Sequence, residues 1–179
     1  ADEAKQLYEK VLPMIRILLP LIATMIGTLC PCRGMTVLFD FENPSELPTA
    51  AGGDEIRQSP RFATSGTHSM CFQTPPWKEG MPKWPSFSLK NLPVKNWKPY
   101  DRLVVDIVNP EKERETFILM VSDHKVPFRK GFRYMFCLPA RGFQRYVIPL
   151  TDFPKNINLS DIDIMHFHGN LPKSGIKVY

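Results

Sequence analysis

Three tryptophans, a pair of alternating histidines and a short basic cluster are the residues of this sequence best suited to hold a ligand. Trp77, Trp84 and Trp97 offer broad flat apolar surfaces, with Tyr100 and Tyr134 as further candidates. Placed beside convergent polar groups, such surfaces suit the C–H face of a sugar ring while the polar groups take its hydroxyls. Trp77 and Trp84 stand among Lys78, Glu79 and Lys83 in a proline-punctuated stretch, where a core role is less natural. A loop tryptophan can equally pack down onto a sheet edge, so both readings stay open. Trp97 heads an apolar run and is expected in the core.

His166 and His168 flank Phe167, so on a strand they share one face. Such a pair could bind a metal or sugar hydroxyls, but no third ligand stands at zinc spacing, and a satisfied structural pair is the ordinary reading. Arg129, Lys130 and Arg133 cluster around Gly131. They could meet an acidic sugar, or simply form a solvated hairpin tip. Glycoside hydrolysis needs two carboxylates roughly 5–10 Å apart, one with a raised pKa. The acidic residues here are dispersed, and the one inside an apolar run, Asp106, alternates outward between Val105 and Ile107. No nucleophile elbow, phosphate-binding loop or zincin motif occurs.

The elements that must position these residues read as strands. In 179 residues there are 18 prolines, about double the usual share of roughly 5%. Proline lacks a ladder donor and collects at strand ends and loops, which favours many short strands over long helices. The stretch Arg61–Gln73, RFATSGTHSMCFQ, shows the pattern: a turn at Thr64–Thr67 in which Gly66 can take φ > 0, then alternating Met70 and Phe72 against Cys71 and Gln73. VLFDFE from Val37 alternates likewise and stops at Asn43-Pro44, and a polar, glycine-bearing loop is expected from Thr49 to Ser59. PPWKEGMPKWPSFSLKNL reads as an exposed loop running into a strand. RLVVDIVNP, ETFILMVSDH, RYMFCLP, QRYVIPL, DIMHFHG and a final GIKVY complete about eight antiparallel strands at intervals near ten residues. That spacing implies a β-sandwich. A hydrophobic content of 43% supports a real core, and a formal charge of +5 without a basic stripe argues against a nucleic-acid partner.

Residues 1–34 differ in character. A charged lead of mild helical propensity ends at Pro13, and the run from Ile17 to Leu29 carries no charge. Its length suits the helical core of a signal peptide and falls short of the about 20 residues a membrane span needs. The expectation is therefore an exported protein, secreted, periplasmic or at the cell surface. Membrane contact would come only through the signal or a lipid anchor, and the domain would occupy residues 35–179. Export would permit a Cys71–Cys137 disulfide, but two free thiols fit the apolar runs MCF and MFC equally well.

The order VLFDFE, ATSGTHSMCF, WKPYDRLVVDIVNP, GFQRYVIPLTDF and IDIMHF resembles the jelly-roll, galactose-binding-like carbohydrate-binding modules attached to secreted glycoside hydrolases. The likeness covers about Thr36 to Tyr179 and rests on strand order and spacing. It implies a non-catalytic module that binds a polysaccharide or oligosaccharide or buttresses a catalytic domain on its C-terminal side, with the last strand cut short at Tyr179. The ligand-binding candidates are then Trp77, Trp84, Arg133, Tyr134, His166 and His168. The resemblance also implies a structural Ca²⁺ held by Asp40 or Glu42 and by carbonyls of the Gly66 turn, since calcium takes 6–8 hard oxygen ligands. Water-facing strand residues would explain Asp40 and Glu42 as well. The rival to a glycan module is a purely structural or protein-interaction β-sandwich, in which Trp77 and Trp84 would be buried or contact another domain.

Overall fold

The computed structural model divides into a unit of Ala1–Thr36 and a unit of Val37–Tyr179. It describes residues 35–49, 54–127, 130–169 and 175–179, so the expected signal-like helix lies outside the described residues. Nine strands form the second unit: β1 (Glu55–Ser59), β2 (Ser69–Thr74), β3 (Ser86–Leu89), β4 (Arg102–Asn109), β5 (Glu115–Asp123), β6 (Phe132–Leu138), β7 (Gly142–Pro149), β8 (Ile162–Gly169) and β9 (Ile176–Val178). All the strand pairs are antiparallel. Among the described residues helix is confined to single 3₁₀ turns such as Pro44–Glu46 and Leu150–Asp152.

One sheet has the order β3-β8-β5-β6. The other is assembled from β1-β2-β9 and β4-β7. They are joined where Val108 N–H donates to Tyr179 O at 2.8 Å and Tyr179 N–H returns to Val108 O at 3.0 Å. The core between the sheets is rich in phenylalanine. Phe72 of β2 lies 5.0 Å from Phe87 and 5.8 Å from Phe117 between ring centroids, and Phe87 stacks on Phe167 at 5.0 Å. Phe72, Phe117 and Phe136 are fully buried. Trp97 is buried as expected, its indole N–H donating to Val94 O at 2.9 Å and its ring edge-on to Phe153.

Two expected boundaries are corrected. VLFDFE is not a strand: Val37–Glu42 runs irregularly, because Phe41 sits at φ 59°, in the left-handed region that ends an extended run. Its carbonyls leave the ladder and are taken by a side chain, Gln58 Nε2 donating to Phe41 O at 2.7 Å and Glu42 O at 3.0 Å. Conversely, residues 55–59 of the expected polar loop form strand β1, paired with β2 from Glu55↔Gln73 to Ser59↔Ser69. The strand is legible only by its partner, since Ile56 is its single apolar residue. Cys71 is buried on β2 and Cys137 exposed on β6, and both are free thiols.

Candidate functional site

Strand alternation sorts the side chains of the β3-β8-β5-β6 sheet into two faces. Phe87, Leu89, Phe117, Leu119, Phe136, Met165 and Phe167 point into the core. The opposite face is read off the register. One row across the sheet is Ser88, His166, Met120 and Arg133, and the next is Ser86, His168, Ile118 and Met135. Trp84, two residues before Ser86, extends the same alternation, and Gly169 N–H donates to Pro85 O at 2.9 Å, which carries the pairing up to it. The indole is 52% exposed and meets the His168 ring edge-on, 5.6 Å between centroids.

The histidines are ordered by their neighbours. Ser88 Oγ lies 2.8 Å from His166 Nδ1, and the His168 Nδ1–H donates to Gly169 O at 3.3 Å. The two rings are 5.8 Å apart. Burial pushes the His166 imidazolium down to about 4, with the neighbouring His168 adding to the effect. His168 is lowered in the same direction by burial, opposed by its bond to Gly169 O and reinforced by the positive charge of Arg133. At neutral pH both rings are therefore uncharged, each able to donate and accept one hydrogen bond. Arg133 is exposed, rests over Met120 with Nη2 4.0 Å from its sulfur, and makes no ion pair with a described carboxylate. Met135, 59% exposed, continues the apolar floor. The face thus joins an aromatic plate, two neutral imidazoles, serine hydroxyls, a thioether floor and one cation.

Four of the six expected ligand residues, Trp84, Arg133, His166 and His168, share this face. Tyr134 does not. It alternates to the other side of β6, half-buried among Phe132, Phe136 and Tyr146, and packs on the core. Trp77 is half-buried elsewhere, its indole N–H donating to Met81 O at 3.2 Å beside a shallow cleft lined by Asp54, Thr74, Pro82 and Pro85. Of the basic cluster, Arg129 lies outside the described residues. Met120, Met135, Ser86 and Ser88 were missed in the sequence; only the register, which places them level with the histidines, reveals them.

The calcium expectation meets a different chemistry. Both Glu42 oxygens accept hydrogen bonds from the Gly66 turn: from Thr67 N–H at 2.5 Å, Thr67 Oγ1–H at 2.8 Å and His68 N–H at 2.7 Å. The Thr67 hydroxyl, then the backbone N–H groups of His68 and Thr67, hold the carboxyl down at about 2. Asp40 Oδ1 accepts from Glu42 N–H at 3.1 Å. A cation at Glu42 would have to displace the N–H and O–H donors that already occupy both its oxygens, so as arranged Glu42 is committed to the Gly66 turn rather than open to a calcium ion. Among the described residues no three His, Cys, Asp or Glu side chains group to hold a metal. Asp106 is paired rather than poised: Arg145 donates to both its oxygens at 2.7 Å on the outer side of β4 and β7, and that bond lowers its pKa.

No family model and no curated protein matches the sequence. Solved structures do match the fold. A family 11 carbohydrate-binding module from Clostridium thermocellum, in complex with a β-1,3-1,4-mixed-linked tetrasaccharide, aligns with a TM-score of 0.54 at 17% identity, over 79% of this chain and 89% of that one. An exo-β-agarase aligns with a TM-score of 0.58 at 16% identity, over 79% of this chain and 23% of the enzyme. A second agarase gives 0.56 at 15% identity, over 82% and 23%. The protein is an all-β sandwich whose structural neighbours are carbohydrate-binding modules and portions of glycoside hydrolases, the class that its strand order resembles. At these identities the likeness is one of fold.

Proposed function

We propose that the domain is a non-catalytic carbohydrate-binding module, and that its ligand lies across the open face of the β3-β8-β5-β6 sheet. The observation that carries the reading is the exposed indole of Trp84 standing beside His168, on the same sheet face as the adjoining row of Ser88, His166, Met120 and Arg133. A sugar's C–H face stacks on the indole, and its hydroxyls exchange hydrogen bonds with the uncharged imidazoles and the serines. The rows of this face that carry the histidines hold no carboxylate, and Asp163, at the bulged end of β8, is paired with His124 at 3.3 Å. The agarases support a place within a larger polysaccharide-degrading enzyme, since the aligned portion is 23% of their chains.

Affinity electrophoresis and calorimetry against neutral and acidic polysaccharides test the assignment. Binding is expected, and Trp84→Ala is expected to weaken it by about tenfold or more, as loss of an aromatic anchor does. Complete absence of binding to every glycan overturns it. The second reading, a protein-interaction domain, is favoured by Val104, Phe143 and Val147, exposed on the outer side of β4 and β7. It would be supported by a partner whose binding is lost on Val147→Lys but kept on Trp84→Ala.

A further inference from the structure

Across the two rows that carry the histidines the charge on the open face is one-sided: Arg133 is the one permanent ion there, while the β8 carboxylate, Asp163, stands at the bulged end opposite Ser122 and Asp123, paired with His124 at 3.3 Å. Three exposed arginines of the domain are held by carboxylates, Arg57 by Glu55 at 3.0 Å, Arg102 by Asp101 at 2.6 Å and Arg145 by Asp106 at 2.7 Å, and Arg61 lies over the Phe62 ring at 5.1 Å. Arg133 instead lies against a methionine sulfur, its guanidinium fork unmatched by any described carboxylate. Guanidinium recognises a planar carboxylate or a sulfate oxygen pair in two-point fashion, which a neutral hydroxyl cannot return. Trp84 and Arg133 stand at the two edges of the sheet, three strand spacings across and four residues along, roughly 20 Å between their backbones. That separation exceeds one sugar ring and suits a chain whose charged unit lies some residues from the stacked one.

Building on the glycan reading, we propose that the ligand is an anionic polysaccharide, bearing sulfate ester or uronate groups, with one such group seated on Arg133 while a neighbouring sugar stacks on Trp84. The titratable groups on that face are His166 and His168 on β8, Arg133 and Cys137 on β6, and the Asp163–His124 pair at the bulged end of β8; β3 offers Ser86 and Ser88, and β5 offers Thr116, Ile118, Met120 and Ser122. A bound anion favours the imidazolium forms, which burial disfavours in both rings, joined by Arg133 at His168 and by His168 at His166. Affinity should therefore rise as pH falls from 7 towards 4, through His168 first and His166 last.

The experiment titrates the full chain with oligosaccharides of a sulfated galactan, a polyuronate, a neutral galactan and a neutral mixed-linkage glucan. An anionic member is expected to bind at least about tenfold more tightly than its neutral counterpart, the worth of one charge-assisted hydrogen-bonded pair. That preference should vanish in Arg133→Ala, survive in part in Arg133→Lys, and shrink between about 50 and 500 mM NaCl as screening shortens. Preference for sulfate over uronate, or the reverse, identifies which anion the site takes. Equal affinity for neutral and anionic chains, or an anionic preference untouched by Arg133→Ala, overturns the inference while leaving the glycan reading standing. Binding to none of the four overturns both.

Discussion

At the scale of single residues the Glu42 carboxylate does the most to hold an irregular segment in place. It reaches from the stretch before Asn43 to the turn around Gly66, more than twenty residues on, and accepts from Thr67 and His68. Gly66 is at φ 68°, and a Cβ there would collide with the Glu42 carboxylate, so the turn needs glycine for room as well as for conformation. The sign of the pH dependence follows from the direction of the shift. A carboxyl held at about 2 in the fold and near 4.5 when unfolded adds stability that is complete above about 4.5 and lost as pH falls through 2. Glu42→Gln should thus lower the urea midpoint at pH 7, and the gap to the wild type should close between pH 4.5 and 2. A gap that is constant across that window would show that the charge of Glu42 is not what the turn uses. The wild type in excess calcium or in chelator should show the same midpoint, because N–H and O–H donors, not a cation, satisfy the Glu42 carboxylate.

Elements decide which of these side chains can act together. On β6, Arg133 and Met135 face the open side while Phe132, Tyr134 and Phe136 face the core, and the phase is set by Phe132 and Phe136, both buried. Tyr134→Ala is therefore expected to lower unfolding free energy by about 2 kcal/mol through lost aromatic packing against Phe136 and Tyr146, and to leave glycan affinity unchanged. Chemical denaturation and a binding titration on the same sample separate the two effects. A variant of full stability that binds no glycan would place Tyr134 in the ligand site after all. The phase of β6 was legible in RYMFCLP, yet its consequence for Tyr134 was not, because an aromatic suits both a core and a sugar. The shared face of His166 and His168 was legible for a simpler reason, that their spacing of two admits one outcome on a strand. Strands whose burial depends on their neighbours gave no such signal. β1 carries one apolar residue and is made by pairing with β2, whereas VLFDFE alternates well and is still broken by the left-handed Phe41. What joins Ser88, His166, Met120 and Arg133 is cross-strand register over four strands, and long-range pairing is not written in any local pattern.

Across the whole molecule, the two sheets depend on the shortest strand. β9 lies between β2 and β4: Phe72 pairs with Val178 and Thr74 with Ile176, while Tyr179 exchanges both backbone hydrogen bonds with Val108. Ile176 and Val178 are buried in the common core, and Tyr179 meets Phe62 edge-on at 4.8 Å. Removing Ile176–Tyr179 would empty two buried aliphatic positions, each worth about 2–5 kcal/mol, and open the ladder between β2 and β4. That loss, together with the freed backbone groups, is of the order of the about 5–15 kcal/mol by which such a domain is stable. The shortened chain is therefore expected to lose its cooperative thermal transition and its near-ultraviolet aromatic signal. Tyr179→Phe is the matched control. The Tyr179 hydroxyl is buried without a hydrogen-bond partner among the described residues, so its removal relieves a desolvation cost while keeping strand, ring and backbone. It should raise stability by about 1 kcal/mol in urea titration. A deletion variant that still unfolds cooperatively near the wild-type midpoint would show that β4 and β7 pack onto the core without β9, and the five-stranded sheet would then be two independent ribbons.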